Sequence, residues 1–343
     1  MFDLDGTKLP LHPGNLIRHD WIETQWGMPQ PVTVEVSPTQ VCNQRCPFCA
    51  FDWVRGDRVR VLAQMSEELL KEVPDIPGTA VTWGGEGEPT LNKAWRRVVR
   101  DRKQPQGLIT NGTWDGIKDL VPHFAWIRFS INAVEPETYG RLHGTNPMDL
   151  GKVLDNLKAA CEVKDRTCTL GVQVLLFREN EEDVYRLWNM KKDLGYDYLV
   201  IKPFSQHPRR GAAGVPEEPT GQMLRNLSSF ASAEDGFHFR RNAFSSKNVP
   251  KGYTGCLAAP YFHVVSATGH IYPCAGYMGD PKWEMGNLHY QTWLEFCTSR
   301  KRYEILKKLE TYPVSACRHP CRLHESNLFM NRLRNPEPHD AFL

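Results

Sequence analysis

The chain has 343 residues, and its 42 Lys and Arg residues nearly balance its 40 Asp and Glu residues, for a formal net charge of +2. That length allows about two domains. The charge balance argues against a dedicated nucleic-acid-binding protein, which needs a basic surface. With 41% hydrophobic and 24% charged residues, the composition excludes a disordered chain or a coiled coil as a description of the whole chain.

Two features of the sequence bear on localisation. No apolar run approaches the ~18 residues that a membrane helix needs. The N-terminal segment carries acidic residues and prolines where a signal peptide needs a basic segment and an apolar stretch. We therefore expect a cytoplasmic protein that binds no membrane.

Six short β-rich runs alternate with helical stretches between residues 32 and 205. This alternation is typical of repeated βα units and predicts an α/β fold with a parallel sheet, either a doubly wound sheet or a partial barrel. In both architectures the active site lies at the carboxyl ends of the strands. The predicted strands are Val32–Ser37, Thr79–Trp83, Gly107–Thr110, Trp126–Ile131, Thr169–Phe177 and Tyr198–Lys202.

Helices are predicted between these strands and near the C-terminus. Ser66 is a candidate N-cap and Gly195 a candidate helix stop. The predicted helices are Ser66–Val73, Leu91–Lys103, Leu150–Lys164, Glu181–Leu194 and, nearer the C-terminus, His289–Leu309. A turn at Ala267–His270 predicts a β-hairpin.

A Pro-, Gly- and charge-rich stretch, His207–Thr220, predicts a domain boundary. We therefore divide the chain into an N-terminal extension (1–31), a core domain (32–215) and a C-terminal domain with its tail (216–343). The segment from Lys202 to His207 follows the sixth predicted strand and has several polar groups. There are two interpretations of these groups: they contact a hydroxylated substrate, or they simply end the strand.

The ten cysteines are clustered instead of evenly scattered. In a reducing compartment clustered cysteines indicate metal or redox chemistry. Cys42, Cys46 and Cys49 lie within eight residues, directly after the first predicted strand. Three thiolates can bind three irons of a [4Fe–4S] cluster and leave the fourth iron open to a substrate or cofactor. The alternative is a structural zinc site, although no His lies at the usual ligand spacing.

The CxxxCxxC spacing, with Phe48 before the last Cys, resembles that of radical S-adenosylmethionine (SAM) enzymes. The segment Trp83–Thr90 resembles the family's GGE element, which binds the amino group of SAM. Residues after the later predicted strands also resemble the family's SAM-binding positions. The resemblance implies that SAM is bound by Phe48, Gly84, Gly85, Glu86, Glu88, Asn111, Ser130 and Arg178. Each Gly or Ser could instead be an ordinary turn or strand residue.

The resemblance covers roughly residues 32–205 and implies a partial (βα)6 barrel. It also implies the reaction: the reduced cluster cleaves SAM, and the resulting 5′-deoxyadenosyl radical takes a hydrogen atom from the substrate. A flavodoxin- or ferredoxin-type protein is the implied electron donor.

A second group of cysteines lies in the C-terminal region: Cys256, Cys274, Cys317 and Cys321. Four thiols are enough to bind every iron of a second [4Fe–4S] cluster. The arrangement resembles the SPASM and twitch extensions of radical SAM enzymes, except that the last pair is spaced CxxxC where CxxC is more usual. A four-cysteine zinc site is the alternative.

Cys161, Cys168 and Cys297 belong to neither group. Buried core residues are the ordinary interpretation of such cysteines. Cys297 is also a candidate hydrogen-atom donor to a substrate radical.

These observations favour a radical SAM oxidoreductase or epimerase that acts on a polar small molecule such as a sugar, cyclitol or aminoglycoside. Oxidation follows if the second cluster takes an electron from the substrate radical, and epimerisation follows if a cysteine donates hydrogen. The alternatives are an enzyme that modifies a ribosomal peptide and a non-catalytic iron–sulfur or zinc protein.

Overall fold

The computed structural model describes residues 28–55, 61–75, 78–165, 167–205, 207, 214–246 and 250–341. Most of the predicted N-terminal extension and part of the predicted boundary loop lie outside these ranges. None of the helices in the described ranges has the length and apolarity that a membrane crossing requires.

One ten-stranded sheet organises the molecule, in the order β10-β9-β8-β1-β2-β3-β4-β5-β6-β7. All six predicted strands are confirmed, to within about two residues at each end, and each pairs in parallel with the next. The strands are β1 Thr33–Val36, β2 Ala80–Trp83, β3 Gln106–Thr110, β4 Trp126–Ser130, β5 Thr169–Leu175, β6 Tyr198–Lys202, β7 Phe237–Phe239, β8 Phe262–Val265, β9 His270–Tyr272 and β10 Gly286–Asn287.

The strand order favours a partial barrel over a doubly wound sheet. A doubly wound sheet reverses its strand order, whereas β1 to β6 follow one another in a single direction. Right-handed crossovers that all step one way place their helices on one face. Glu35 on β1 and Lys202 on β6 line the same cavity, although five inter-strand spacings in a flat sheet would separate them by about 24 Å. The sheet is therefore curled.

Ten α-helices are present among the described residues. Ser66 caps the first, as predicted, by accepting a hydrogen bond from Leu69 N at 3.2 Å, and Gly195 ends the fifth in the left-handed conformation. The helices are α1 Glu67–Lys71, α2 Lys93–Val98, α3 Pro136–His143, α4 Asp149–Val163, α5 Glu181–Leu194, α6 Gly221–Ala233, α7 Arg241–Ser245, α8 Trp293–Cys297, α9 Arg300–Thr311 and α10 His324–Arg334.

The prediction of a single helix over His289–Leu309 was wrong, because two helices, α8 and α9, occupy that range. The break lies at Thr298 and Ser299. The Ser299 hydroxyl accepts a hydrogen bond from Arg302 N at 3.2 Å, so it caps a new helix instead of continuing the old one.

The C-terminal region extends the same sheet at both ends. β8 pairs in parallel with β1, and β8 and β9 form the predicted antiparallel hairpin. β7, which follows the proposed boundary at residue 215, pairs in parallel with β6. The ends of the parallel sheet thus lie beside residues from the last third of the chain.

A buried cation fixes the C-terminal helices against the sheet. Arg302 on α9 is 1% exposed, and it donates hydrogen bonds to His263 Nε2 at 3.1 Å and to the Cys297 carbonyl at 3.2 Å. It also bonds the Pro29 carbonyl. Because Arg302 donates to Nε2, His263 is the neutral tautomer, whose Nδ1–H donates to the Phe262 carbonyl at 2.7 Å. Burial and the Arg302 charge hold the pKa of His263 well below its usual value.

The low pKa of His263 predicts a loss of stability in mild acid. Below its ordinary pKa of about 6.5, the imidazole takes up a proton in the unfolded chain and resists it in the folded chain. Between pH 7 and pH 5.5 this linkage lowers the free energy of unfolding by about 1 kcal/mol. Urea unfolding of the wild type and His263→Gln at both pH values measures the difference, since other histidines contribute equally to both proteins. An equal pH dependence in the two proteins would contradict this account.

Candidate active site

A cavity of about 370 Å³ lies at the carboxyl ends of the parallel strands, and we call it the central cavity. Its walls include residues at or just after five successive strands: Glu88, Thr110, Ser130, Leu175 and Lys202. This is the edge at which the sequence predicts the active site.

Cys42, Cys46 and Cys49 all line the central cavity, as their position after β1 predicts. The loop turns back on itself where Cys49 N donates to the Cys46 carbonyl at 3.0 Å. All ten cysteines lie in the described ranges, and none of them forms a disulfide. Across those ranges, no three His, Cys, Asp or Glu side chains are already arranged around one metal position.

Hydrogen bonds with the C-terminal end of α3 support the loop that carries Cys42, Cys46 and Cys49. Arg45 N donates to the carbonyls of His143 and Gly144, at 3.0 and 3.2 Å. The His143 ring bonds Gln44 Oε1 at 3.0 Å through Nδ1 and accepts from Asn132 N at 3.1 Å through Nε2. Burial lowers the pKa of His143 to about 3, so the ring is neutral. No local motif predicted this support, and the available signal was Gly144, the glycine that ends α3.

We expect Gly144→Ala to disturb the cysteine loop. Gly144 has a φ of +58°, and a Cβ there would lie 2.2 Å from the Arg45 carbonyl oxygen. The left-handed backbone alone costs a non-glycine residue about 1–2 kcal/mol, and relieving the contact must move Arg45. The variant should bind several-fold less iron after reconstitution, measured by iron and sulfide assay. Gly151→Ala is the control, since nothing lies within 4 Å of its Cβ, and normal iron binding by Gly144→Ala would show that this support is dispensable.

Glu88 ties the end of β2 to the end of β3. Its carboxylate accepts hydrogen bonds from Asn111 N at 2.7 Å, from the Thr110 hydroxyl at 2.8 Å, and from Thr90. Burial raises the pKa of this carboxyl group, while these hydrogen bonds oppose the rise. Asn111 in turn donates to Asn43 Oδ1 in the cysteine loop at 2.8 Å. Both predicted residues line the central cavity.

The other residues of the predicted GGE element divide between two environments. Gly85 lines the central cavity, and a Cβ there would lie 2.1 Å from Ser37 Oγ. Gly84 packs against Ile109 and is not part of the lining. The Glu86 carboxylate accepts from Gln40 Nε2 at 3.0 Å and from Ala267 N at 2.6 Å. Glu86 therefore holds the C-terminal hairpin instead of facing the cavity.

The last three predicted SAM-binding residues differ in placement. Phe48 lines the central cavity, with its ring 5.0 Å from that of Phe177. Ser130 also lines it, and its hydroxyl accepts from Gln173 Nε2 at 2.7 Å. Arg178 is exposed, pairs with Glu217, and is not part of the lining. The structure does not bring Arg178 together with the other residues.

The C-terminal cysteines converge on a second cavity of about 430 Å³, which we call the thiol cavity. Cys256, Cys274, Cys317 and Cys321 all line it. Burial, followed by the nearby Cys321 thiol, raises the pKa of Cys274 to about 12. Thiols crowded in a buried site lose their protons readily only when a metal supplies positive charge. The donor set therefore fits a metal or an iron–sulfur cluster. Cys321 lines the central cavity as well, so the two cavities adjoin.

Cys297 lines neither the central cavity nor the thiol cavity. It is 2% exposed in the main hydrophobic core, and burial raises its pKa to about 11. The role of hydrogen donor stays a prediction, for a thiol that lies outside the linings of both cavities. Cys168 is buried in the same core, and Cys161 packs against it.

Residues 36–189 match the radical SAM superfamily. The fold is similar to that of Streptococcus suis SuiB bound to S-adenosylmethionine, with a TM-score of 0.63 and 14% identity, over 97% of this chain and 79% of that one. It is also similar to anSMEcpe with bound AdoMet, with a TM-score of 0.57 and 17% identity, over 81% and 84% of the two chains. A search of curated proteins found no match. The three cysteines after β1, the strand-end cavity and the matched segment agree with one another: residues 36–189 resemble the radical SAM superfamily, whose members use a [4Fe–4S] cluster and SAM.

Proposed function

We propose that this protein cleaves SAM reductively and oxidises a polar small molecule. The observation that carries the proposal is the adjacency of the two cavities, because Cys321 lines both. A substrate in the central cavity would lie next to a metal centre able to accept an electron from it. The position of Cys297 outside both cavities favours oxidation over epimerisation.

The proposed roles belong to the predicted cluster ligands and SAM contacts, and not to Cys297, which lines neither cavity. Cys42, Cys46 and Cys49 would hold the catalytic [4Fe–4S] cluster, which with SAM supplies the radical that abstracts hydrogen. The residues proposed to contact SAM are those that line the central cavity: Phe48, Gly85, Glu88, Asn111 and Ser130. Gly84 and Glu86 would position the loop after β2 from outside the central cavity. Arg178 would stay at the surface, paired with Glu217.

The C-terminal cysteines would hold a second [4Fe–4S] cluster, with zinc as the alternative metal. We also retain the division into 1–31, 32–215 and 216–343 as a proposal, with the thiol cavity in the last part. A flavodoxin- or ferredoxin-type protein is the proposed electron donor, and the cytoplasm is the proposed compartment.

Modification of a peptide is the second candidate. Streptococcus suis SuiB bound to the precursor peptide SuiA has a similar fold, with a TM-score of 0.64 and 13% identity over 98% of this chain. The central cavity of about 370 Å³ is of a size that suits small ligands, and this size favours a small molecule over a peptide as the substrate.

The test is SAM cleavage by anaerobically reconstituted protein. With dithionite as reductant, we expect 5′-deoxyadenosine and methionine in equal amounts, measured by liquid chromatography. Omission of dithionite is the control. If the protein has its full iron content and no 5′-deoxyadenosine forms, the proposal fails and a non-catalytic iron–sulfur or zinc protein becomes the better description.

A further inference from the structure

Two side chains contact the C-terminal thiols through hydrogen bonds. Asn327 on α10 donates from its Nδ2 atom to Cys256 Sγ, over 3.5 Å. The Tyr277 hydroxyl lies 3.7 Å from Cys317 Sγ. These two residues stand 71 and 40 positions from their cysteines along the chain, so only the tertiary fold brings them together.

The backbone supplies donors to the other two thiols. Hydrogen bonds from the backbone at Gly276 and at Leu323 reach Cys274 and Cys321, respectively. Each of the four sulfurs therefore has a hydrogen-bonding partner of its own. A donor stabilises a sulfur most strongly when the sulfur carries negative charge, as a metal-bound thiolate does.

The amide group of Asn327 is held in one orientation. One of its two polar atoms lies 2.9 Å from Ala258 N. Because a backbone N–H can only donate, that atom is the oxygen Oδ1, and the NH2 group faces Cys256. Asn327 is 1% exposed, and its own backbone N donates to the Leu323 carbonyl at 2.8 Å.

The ring of Tyr277 is fixed by aromatic neighbours. It stacks on Trp283 with the ring centroids 4.5 Å apart, and its centroid lies 6.2 Å from that of Tyr312, with the two rings nearly perpendicular. A neutral thiol at Cys317 can donate to the hydroxyl or accept from it. A metal-bound thiolate has no proton, so the phenol is then the donor.

The surroundings of the thiols strengthen these hydrogen bonds. Three of the four cysteines pack against a group of buried apolar side chains that includes Phe262, Val264 and Met278. In such a medium a hydrogen bond to a charged group is stronger than in water. An iron–sulfur cluster gains negative charge when it is reduced, so donors to its sulfur ligands favour the reduced form.

We propose that Asn327 and Tyr277 donate hydrogen bonds to two sulfur ligands of the C-terminal iron–sulfur cluster and thereby raise its reduction potential. This inference rests on the proposed function. There, the 5′-deoxyadenosyl radical removes one hydrogen atom from the substrate alcohol, and the substrate radical then passes one electron to this cluster and one proton to water, which leaves a ketone. A higher reduction potential makes the cluster a better acceptor of that electron.

Redox titration of the C-terminal cluster, followed by electron paramagnetic resonance, tests the proposal. The parent protein is the full-length chain with alanine at the three cysteines after β1, so that the catalytic cluster does not contribute to the signal. Tyr277→Phe removes one oxygen and keeps the ring, and Asn327→Leu removes the amide at nearly the same volume. Each should lower the ratio of reduced to oxidised cluster at a fixed potential at least about tenfold, which is about 59 mV for a one-electron couple.

The matched controls make the same changes at positions that do not bond a thiol. Tyr312→Phe also removes a hydroxyl from the lining of the thiol cavity, and among the described residues that hydroxyl forms no hydrogen bond to a thiol. Asn331→Leu lies one turn farther along α10, where the Asn331 side chain accepts from Asn335 at 3.3 Å. Both should stay within about twofold of the parent ratio. Iron and sulfide assays verify that each variant holds the cluster.

The sign of the shift separates loss of a donor from loosened packing. Water admitted to a loosened site would stabilise the added negative charge and raise the potential, whereas loss of a donor lowers it. The inference is overturned if Tyr277→Phe keeps its iron and titrates like Tyr312→Phe, or if its potential rises. This variant decides alone if Asn327→Leu loses the cluster. A C-terminal site that holds zinc and gives no reducible signal also overturns the inference.

The proposed function is read separately, from 5′-deoxyadenosine formation by the wild type. A wild type that forms 5′-deoxyadenosine, with a potential that responds to neither substitution, would keep the proposed function and remove this inference. A responsive potential without 5′-deoxyadenosine formation would refute the proposed function and leave the two donors in place.

Discussion

Replacing Cys42, Cys46 and Cys49 together with alanine is expected to abolish 5′-deoxyadenosine formation and to lower the iron content from about eight to about four per chain. The three thiols line one cavity and would supply all the protein ligands of the catalytic cluster. Without them no iron is held beside the strand ends, so the radical cannot form. Iron and acid-labile sulfide assays on anaerobically reconstituted protein measure the effect, together with product analysis after reduction.

Cys161→Ala is the control for this experiment, because Cys161 packs against the main core and lines neither cavity. It should keep its full iron content. A triple variant that still holds about eight irons would place the catalytic cluster elsewhere. About four irons in the wild type, falling to none in the triple variant, would confine iron to the first site. The C-terminal cysteines would then bind zinc or be structural, and the oxidation mechanism would lose its electron acceptor.

Replacing Cys256 and Cys274 with alanine should remove the second cluster and leave the first one in place. These two cysteines line the thiol cavity and not the central cavity, unlike Cys321, which lines both. We expect the iron content to fall from about eight to about four, with 5′-deoxyadenosine still formed and oxidation of the substrate lost. The reason is that two of four ligands cannot retain the second cluster, while the residues of the first are untouched.

Two results of metal analysis, on the wild type and on the double variant, would contradict this expectation. If the wild type contains one zinc that the double variant lacks, the thiol cavity is a zinc site and no electron is taken up there. If the double variant keeps its iron, the four C-terminal thiols do not form one metal site. The triple variant described above is the matched control, because each variant should remove the iron that the other retains.

Local sequence patterns predicted most of the fold. The six parallel strands were identified because strands of this kind are short apolar runs separated by helical periodicity. Ser66 and Gly195 were identified as helix ends because their side-chain and backbone preferences act within a few residues. The helix predicted over His289–Leu309 was wrong for a related reason: apolar periodicity passed through Ser299, whose hydroxyl caps a new helix.

Placement of side chains relative to the cavities was less predictable. Sequence motifs grouped Glu86 with Glu88, yet Glu88 faces the cavity and Glu86 holds a hairpin turn 181 positions away. Arg178 was grouped with the SAM-binding residues, and its partner is Glu217 at the surface. A motif specifies residue types at the end of a strand. The direction of each side chain depends on which distant groups form hydrogen bonds or ion pairs with it.

The sequence by itself determined the family resemblance, the three-cysteine loop and the α/β fold, because spacing and periodicity are properties of neighbouring residues. Only the tertiary structure decided that the two cysteine groups serve adjoining cavities, and that Asn327 on α10 donates to the Cys256 thiol of one of them. The Arg322 and Glu35 pair joins positions 287 residues apart. Contacts of that kind arise from the curling of the sheet and the pairing of β8 with β1, which no local pattern encodes.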